Sequence, residues 1–288
     1  MKVSLFGTGL MGQPMALKLL QSGHQITAYN RTAAKLADVE AAGIAVTTEP
    51  AAAIQASDCL ILMLADATAI EQTLLSATAK PLLGDRAVIQ MGTIAPAQSR
   101  AIGEAVVAAG GNYLEAPVLG SIPQVKAGSL QIMVGSTEAQ FSQWSPLLQS
   151  LGQPMHIGPV GTAAATKLAM NQLIGALTAG FAQSLALVQQ EGIETEKFMA
   201  IVRESALYAP TFDKKLDRML NRSFDDPNFP TKHLLKDMNL FVEAAKAAGI
   251  EAELTKSVSQ IAEQAIAAGL AEQDYSALYQ AVNPPADR

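Results

Sequence analysis

The sequence predicts a doubly wound parallel α/β sheet in its first half and an all-helical bundle in its second. Three observations carry that expectation. An apolar run at the N-terminus breaks at glycines 7, 9 and 12 and resumes as an amphipathic stretch. Short apolar runs then alternate with helical patterns as far as residue 109, the signature of a sheet crossed by helices. Beyond Gly161 no segment reads convincingly as a strand. A chain of 288 residues exceeds one typical domain, so the expected organisation is 1–161 and 162–288, joined by a long helix.

The first stretch organises the rest. Val3, Leu5 and Phe6 suit a buried strand, and Met11, Met15, Leu19 and Leu20 recur at helical spacing before Gly23. Glycines at this spacing between strand and helix fit a Rossmann-type dinucleotide site. Gly7 allows the tight turn, Gly9 lets backbone approach a pyrophosphate, and Gly12 permits close helix packing. The new helix N-terminus then offers N–H groups to the anion. Gly7, Thr8, Gly9, Leu10, Met11 and Gly12 are therefore the expected phosphate cradle.

Residues 25–29 (QITAY) read as the second strand, ending at Asn30, Arg31 and Thr32. An NAD site usually carries a carboxylate here. Arg31 instead suits a 2′-phosphate, by charge-assisted bonds and stacking on adenine, which favours NADP; the bland reading is a solvated loop arginine. Thr32 either bonds the same phosphate or caps a helix over 33–42. Further strands are expected at 59–64 and 87–91, with helices over 67–77 and 96–109. Ligands lie beyond the carboxyl ends of such strands, which puts Leu64, Ala65 and Asp66 beside the cofactor and Thr93 nearer the nicotinamide, although Thr93 reads equally as a turn residue.

After Gly110 and Gly111 the pattern changes. Strands are expected at 113–117, 130–134 and 155–157, with a helix over 137–148. The stretch 118–128 reads as a loop, in which backbone around Gly120 and Ser121 either receives an anionic group or makes an ordinary connection. Residues 162–191 form one helical pattern about 45 Å long, and shorter helices follow over 195–205, 211–221, 231–248, 252–268 and 274–281.

Composition excludes several classes. Nearly half the residues are hydrophobic and 16% are charged, an ordinary globular balance. A net charge of −6 without a dense Lys/Arg run gives no reason to expect nucleic acid. The apolar stretch 163–188 carries Lys167, Asn171, Gln172 and Gln183, so it reads as a buried helix rather than a membrane span. The single cysteine, Cys59, lies in an apolar run and fits a reducing, cytoplasmic setting. His24, His156 and His233 are scattered, and no metal site is expected.

Lys167 and Asn171 are four residues apart and share a helix face. An ammonium in a partly dry cleft has a lowered pKa and suits proton donation near neutrality; the alternative is a snorkelling surface lysine. Lys236, in KHLLKDMNL, taken alone is a solvated charge more often than a site.

Taken together, four segments resemble the β-hydroxyacid dehydrogenase superfamily, which includes 3-hydroxyisobutyrate dehydrogenases, tartronate semialdehyde reductases and glyoxylate/succinic semialdehyde reductases. They are GTGLMGQPMA (7–16), EAPVLGSIPQVKAGSL (115–130), GPVGTAAATKLAMNQ (158–172) and KDMNL (236–240). The resemblance implies that Lys167 is the general acid/base, that Asn171 positions the substrate, that Lys236 lies at the cofactor and active-site cleft, and that Thr93 contacts ribose or nicotinamide. It also implies a homodimer or homotetramer. The family commonly reads APVSGG in the substrate loop. Here Leu119 replaces that serine and Ser121 carries the nearby hydroxyl. The GS pair with the NRT loop is most similar to the glyoxylate/succinic semialdehyde reductase branch. The expected reaction is NADPH-dependent reduction of a small aldehyde acid to its hydroxy acid. The rivals are NAD-dependent 3-hydroxyisobutyrate oxidation, an imine reductase, against which Lys167 argues, and a non-catalytic NADP-binding scaffold.

Overall fold

A computed structural model describes residues 1–285. The expected second domain runs to residue 288, so its last three positions lie outside the described residues. The chain divides into two compact units, the first ending at Lys167 and the second starting at Leu168. The division falls inside a helix, six residues beyond the expected end of the first domain.

The first unit is built on nine strands among the described residues: β1 (Lys2–Phe6), β2 (Gln25–Tyr29), β3 (Ala45–Thr47), β4 (Cys59–Leu62), β5 (Ala87–Gln90), β6 (Asn112–Glu115), β7 (Val118–Leu119), β8 (Leu130–Gly135) and β9 (Gly152–Gly158). Their order is β3-β2-β1-β4-β5-β6-β8-β7, with β9 also paired to β8. From β3 to β6 every pairing is parallel. The extension is mixed, since β8 runs antiparallel to β6 and β7 and parallel to β9.

Helices cover both faces: α1 (Gly12–Gln21), α2 (Ala37–Ala41), α3 (Pro50–Gln55), α4 (Ala67–Leu74), α5 (Pro96–Ala108), α6 (Ile122–Ala127) and α7 (Glu138–Leu148). Strand alternation explains how. Val3, Leu5, Ile61, Ile89 and Leu114 pack with Met15 and Leu19 of α1 and Trp144 of α7. Their neighbours Phe6, Leu60, Leu62 and Val88 point the other way, against Ile70 of α4 and Ile102 and Val106 of α5. A sheet buried on both sides explains why its strands are continuous apolar runs. Cys59 is fully buried in β4, and burial raises its thiol pKa well above the ordinary value.

Two expectations are corrected. Residues 33–42 are not one helix: Ala33–Leu36 is a 3₁₀ turn, α2 follows, and Thr32 makes no side-chain cap. The stretch 118–128 is not a plain loop, because it contains β7 and α6. Both elements are too short to leave a periodic signal.

The helix α8 (Thr162–Gln190) starts in the first unit and continues through the second. It is followed by α9 (Thr195–Glu204), α10 (Pro210–Leu220), α11 (Thr231–Ala247), α12 (Glu253–Ala267) and α13 (Leu278–Val282). Residues expected to open the last helix form a separate 3₁₀ turn, Tyr275–Ala277. Phe181 and Leu185 of α8 pack with Met199, Phe212, Leu216 and Tyr279. Ala179 packs with Leu234, Met238, Val258 and Leu278. Gly175 explains how closely α8 meets α11, since a Cβ there would lie 2.8 Å from Met238 Sδ. Among the described residues no helix is long and apolar enough to cross a membrane.

Lys215 and Asp274 form a buried ion pair in the second unit. Lys215 Nζ lies 2.8 and 2.9 Å from the two carboxylate oxygens and 4.3 Å from the centre of the Tyr275 ring. The Ser276 amide and hydroxyl donate to Asp274 Oδ1. Burial pulls the Lys215 pKa below its ordinary value despite the attraction of Asp274.

Candidate active site

The glycine turn has the shape its spacing predicts. Gly7 has φ +100°, and a Cβ there would fall 2.4 Å from the Met63 carbonyl oxygen. One on Gly12 would fall 1.8 Å from the Gly7 oxygen, so the helix and turn touch through bare backbone. Around Gly9 there is nothing within 4 Å of the corresponding position. The two outer glycines thus hold the turn shut while the middle one opens onto empty space. The N-terminus of α1 has no side-chain cap and no acidic residue in its first turn. These features fit the pyrophosphate of a dinucleotide, which needs free amides, close backbone approach and no competing anion.

Thr8 is buried and ties this turn to the end of β2. Its hydroxyl donates to the Lys35 carbonyl at 2.7 Å and accepts from Asn30 Nδ2 at 2.9 Å. Asn30 Oδ1 in turn accepts the Thr32 N–H at 2.9 Å. Asn30 is therefore a bracket that shapes the loop, and Arg31 and Thr32 are held exposed at its tip.

At the carboxyl ends of β4 and β5, Leu64 is half-buried and Ala65 exposed. Asp66 caps α4 by accepting the Ala69 N–H at 2.8 Å. The Gln90 carboxamide clamps Gly92 from both sides, accepting its N–H at 2.6 Å and donating to its carbonyl at 2.9 Å. A Cβ on Gly92 would lie 2.7 Å from the Leu64 oxygen, so the two chain segments meet there through backbone, and the half-buried Thr93 follows. The structure thus gathers residues 7–12, 30–32, 64–65 and 93 on one edge of the first unit, at the ends of adjacent parallel strands.

Gly120 and Ser121 lie in the same unit, at the start of α6. Gly120 has φ +133°. The Ser121 amide and hydroxyl both donate to Gln124 Oε1, at 2.9 and 2.8 Å. Both donors of Ser121 are thereby engaged within α6.

Lys167 and Asn171 sit one helical turn apart on α8, Lys167 half-buried and Asn171 only 2% exposed. Asn171 Nδ2 donates to Asp237 Oδ2 at 2.6 Å. Asp237 Oδ1 lies 3.1 Å from Lys236 Nζ, an ion pair without the alignment of a good hydrogen bond. Within the second unit, then, Asn171 and Lys236 meet through the buried Asp237.

Sequence reasoning missed two carboxylates. Asp237 follows Lys236 in KHLLKDMNL and reads there as one more solvated charge. Glu115, at the end of β6, is 1% exposed and its Oε1 accepts N–H bonds from Gly161, Ala163 and Ala164 at 2.8, 2.8 and 3.0 Å. A single charge closing the apolar run YLE was the available signal, because a buried carboxylate requires partners. Among the described residues no cluster of His, Cys, Asp and Glu suits a metal ion.

Comparison with known proteins matches both parts of the chain. A family model described as the NAD binding domain of 6-phosphogluconate dehydrogenase matches residues 2–164. Another, described as NAD-binding of NADP-dependent 3-hydroxyisobutyrate dehydrogenase, matches residues 161–282. The chain is 30% identical to glyoxylate/succinic semialdehyde reductase 1 of Arabidopsis thaliana, over 98% of each chain. It is 30% identical to 2-hydroxy-3-oxopropionate reductase of Escherichia coli K12, over 98% of this chain and 97% of that one. In fold it is similar to the crystal structure of a 3-hydroxyisobutyrate dehydrogenase from Salmonella typhimurium, with a TM-score of 0.86 at 23% identity over 97% and 99% of the two chains.

Proposed function

Because the chain belongs to the β-hydroxyacid dehydrogenase superfamily, and is thus an oxidoreductase, we propose that it is an NADP(H)-dependent reductase of a small aldehyde acid such as succinic semialdehyde or glyoxylate. The observation that carries this reading is the pairing of Lys167 with Asn171 on one face of α8, with Asn171 held by a buried carboxylate.

When bound, NADPH supplies the hydride that reduces the carbonyl carbon. The chain's own residues do the rest. Gly7 to Gly12 would hold the cofactor's pyrophosphate, and Arg31 and Thr32 would take the 2′-phosphate. Leu64, Ala65 and Thr93 would contact the rest of the cofactor, and Lys236 would supply a cation. Lys167 Nζ holds the proton that passes to the carbonyl oxygen as it gains negative charge. In the reverse direction the neutral amine takes the hydroxyl proton. The Asn171 carboxamide, fixed through Nδ2 by Asp237, keeps its orientation toward the substrate. The Gly120 and Ser121 segment receives the substrate carboxylate. Ser121 then exchanges its bonds to Gln124 for bonds to the substrate. An exposed stripe of Leu173, Leu177 and Leu187 on α8 supports a homodimer or homotetramer.

The test is the rate of NADPH oxidation with glyoxylate, succinic semialdehyde, methylmalonate semialdehyde and tartronate semialdehyde, repeated with NADH. The reading expects the highest kcat/KM with NADPH and one of the first two. Faster NAD-dependent oxidation of 3-hydroxyisobutyrate would reassign the chain to that activity. No turnover with any of them would leave a non-catalytic NADP-binding protein.

A further inference from the structure

We propose that Glu115 is a positioning residue for Lys167, holding the first turn of α8 in the register from which that lysine delivers its proton. The inference rests on the assignment of Lys167 given above.

The amides that open a helix have no partner within it. Here every amide from Gly161 to Ala165 has one. The Thr162 N–H donates to the Pro159 carbonyl at 3.1 Å and the Ala165 N–H to Gly161 at 3.1 Å. The remaining three, from Gly161, Ala163 and Ala164, converge on one oxygen of Glu115. Its other oxygen accepts the Ser99 hydroxyl, and Ser99 meets the Tyr113 hydroxyl at 2.9 Å. Glu115 is thus committed on both sides, with α5 behind it and α8 in front.

The surroundings leave this carboxylate no room to shift. A Cβ on Gly135 would lie 2.4 Å from Glu115 Oε1, so the side chain rests on bare β8 backbone. Gly161 has φ +100°, and a Cβ there would lie 2.1 Å from Arg100 Nη1. The turn is confined from outside by Arg100 and from inside by Glu115.

Helical geometry connects this anchor to the chemistry. Ala163 and Ala164 are four and three residues before Lys167, on the same helix face. Side chains lean toward the helix N-terminus, so Lys167 leans back over the two residues whose amides Glu115 holds. The carboxylate of Glu115 also complements the positive end of the helix. A turn held only by water would let Lys167 slide and rotate with it, and small misplacements of a proton donor cost about 10²-fold in rate.

Steady-state kinetics, pH profiles and NADPH titrations of Glu115→Ala, Glu115→Gln and Lys167→Ala test the assignment. Glutamine keeps an acceptor for the three amides, loses the charge, and reverses the bond to Ser99, whose hydroxyl then accepts from the carboxamide and donates to Tyr113. Glu115→Ala is expected to lower kcat at least tenfold with the NADPH Kd within twofold of wild type. Glu115→Gln is expected to restore kcat to within threefold. Its alkaline limb should move to lower pH, because losing a nearby negative charge lowers the pKa of an ammonium. A folded Glu115→Ala enzyme with wild-type kcat would overturn the proposal. If that variant does not fold, a Glu115→Gln enzyme with an unmoved limb would overturn it as well. Lys167→Ala separates the two claims: wild-type turnover in that variant refutes the lysine assignment itself, whereas its loss alongside an unaffected Glu115→Ala refutes only the role of Glu115.

Discussion

Asn171 and Asp237 form a buried pair 2.6 Å long, joining the middle of α8 to α11, with Lys236 on the second carboxylate oxygen. The Asn171 carboxamide cannot rotate without giving up its hydrogen bond to Oδ2 of a buried carboxylate. The pair therefore fixes which way the Asn171 oxygen points.

Asp237→Ala removes this constraint. A lost hydrogen bond to a charged group is worth about 1.5–3 kcal/mol, so kcat/KM for the acid substrate is expected to fall about 10–100-fold. Steady-state kinetics checks this, and Asp237→Asn, which keeps an acceptor, is expected to lose less.

Arg31 stands exposed at the tip of the loop that Asn30 and Thr8 shape. Arg31→Ala is expected to raise the KM for NADPH about 10–100-fold, the scale of a charged hydrogen bond to phosphate. The KM for NADH should stay within about threefold, because NADH has no 2′-phosphate.

The ion pair of Lys215 and Asp274 is a matter of stability. Lys215→Met leaves a carboxylate that is 0% exposed without its counter-charge, which costs about 3–5 kcal/mol. Urea unfolding measures it. The double variant Lys215→Met with Asp274→Leu is expected to recover part of the loss, because it removes the orphaned charge as well.

Acid should weaken the fold through two histidines. Burial is the main cause that lowers the His24 and His233 pKa values, helped at His24 by the N-terminal ammonium and at His233 by Lys236 and Lys232. A group whose folded pKa lies below its unfolded value of about 6.5 binds its proton more readily in the unfolded chain. Its contribution is complete above that value and is lost as the pH falls through the lowered one. Thermal melts should show Tm falling from pH 7 to pH 5, with a shallower fall in His233→Gln.

The parts of the fold that were legible in the sequence are those that repeat or that need an unusual residue. The glycines at 7 and 12 announce their geometry because no side chain fits there, whereas around Gly9 the space is open; β1, β4 and β5 announce themselves as largely apolar, buried runs. The two-residue β7 and six-residue α6 escaped because neither is long enough to show a period. The split of residues 33–42 into a 3₁₀ turn and α2 reflects tertiary ties, with Thr8 holding the Lys35 carbonyl. Asp237 and Glu115 escaped for another reason. Their partners lie 66 and about 46 to 49 positions away in sequence, and no local pattern records such a pairing.

The central claim is that the Lys167 ammonium supplies the proton that completes carbonyl reduction. Single-turnover reduction by Lys167→Ala enzyme preloaded with NADPH tests it most directly. The account predicts a rate at least 10²-fold below wild type, the scale of a lost general acid at about 10²–10⁴, with the NADPH Kd near normal. A wild-type single-turnover rate in that variant would contradict it.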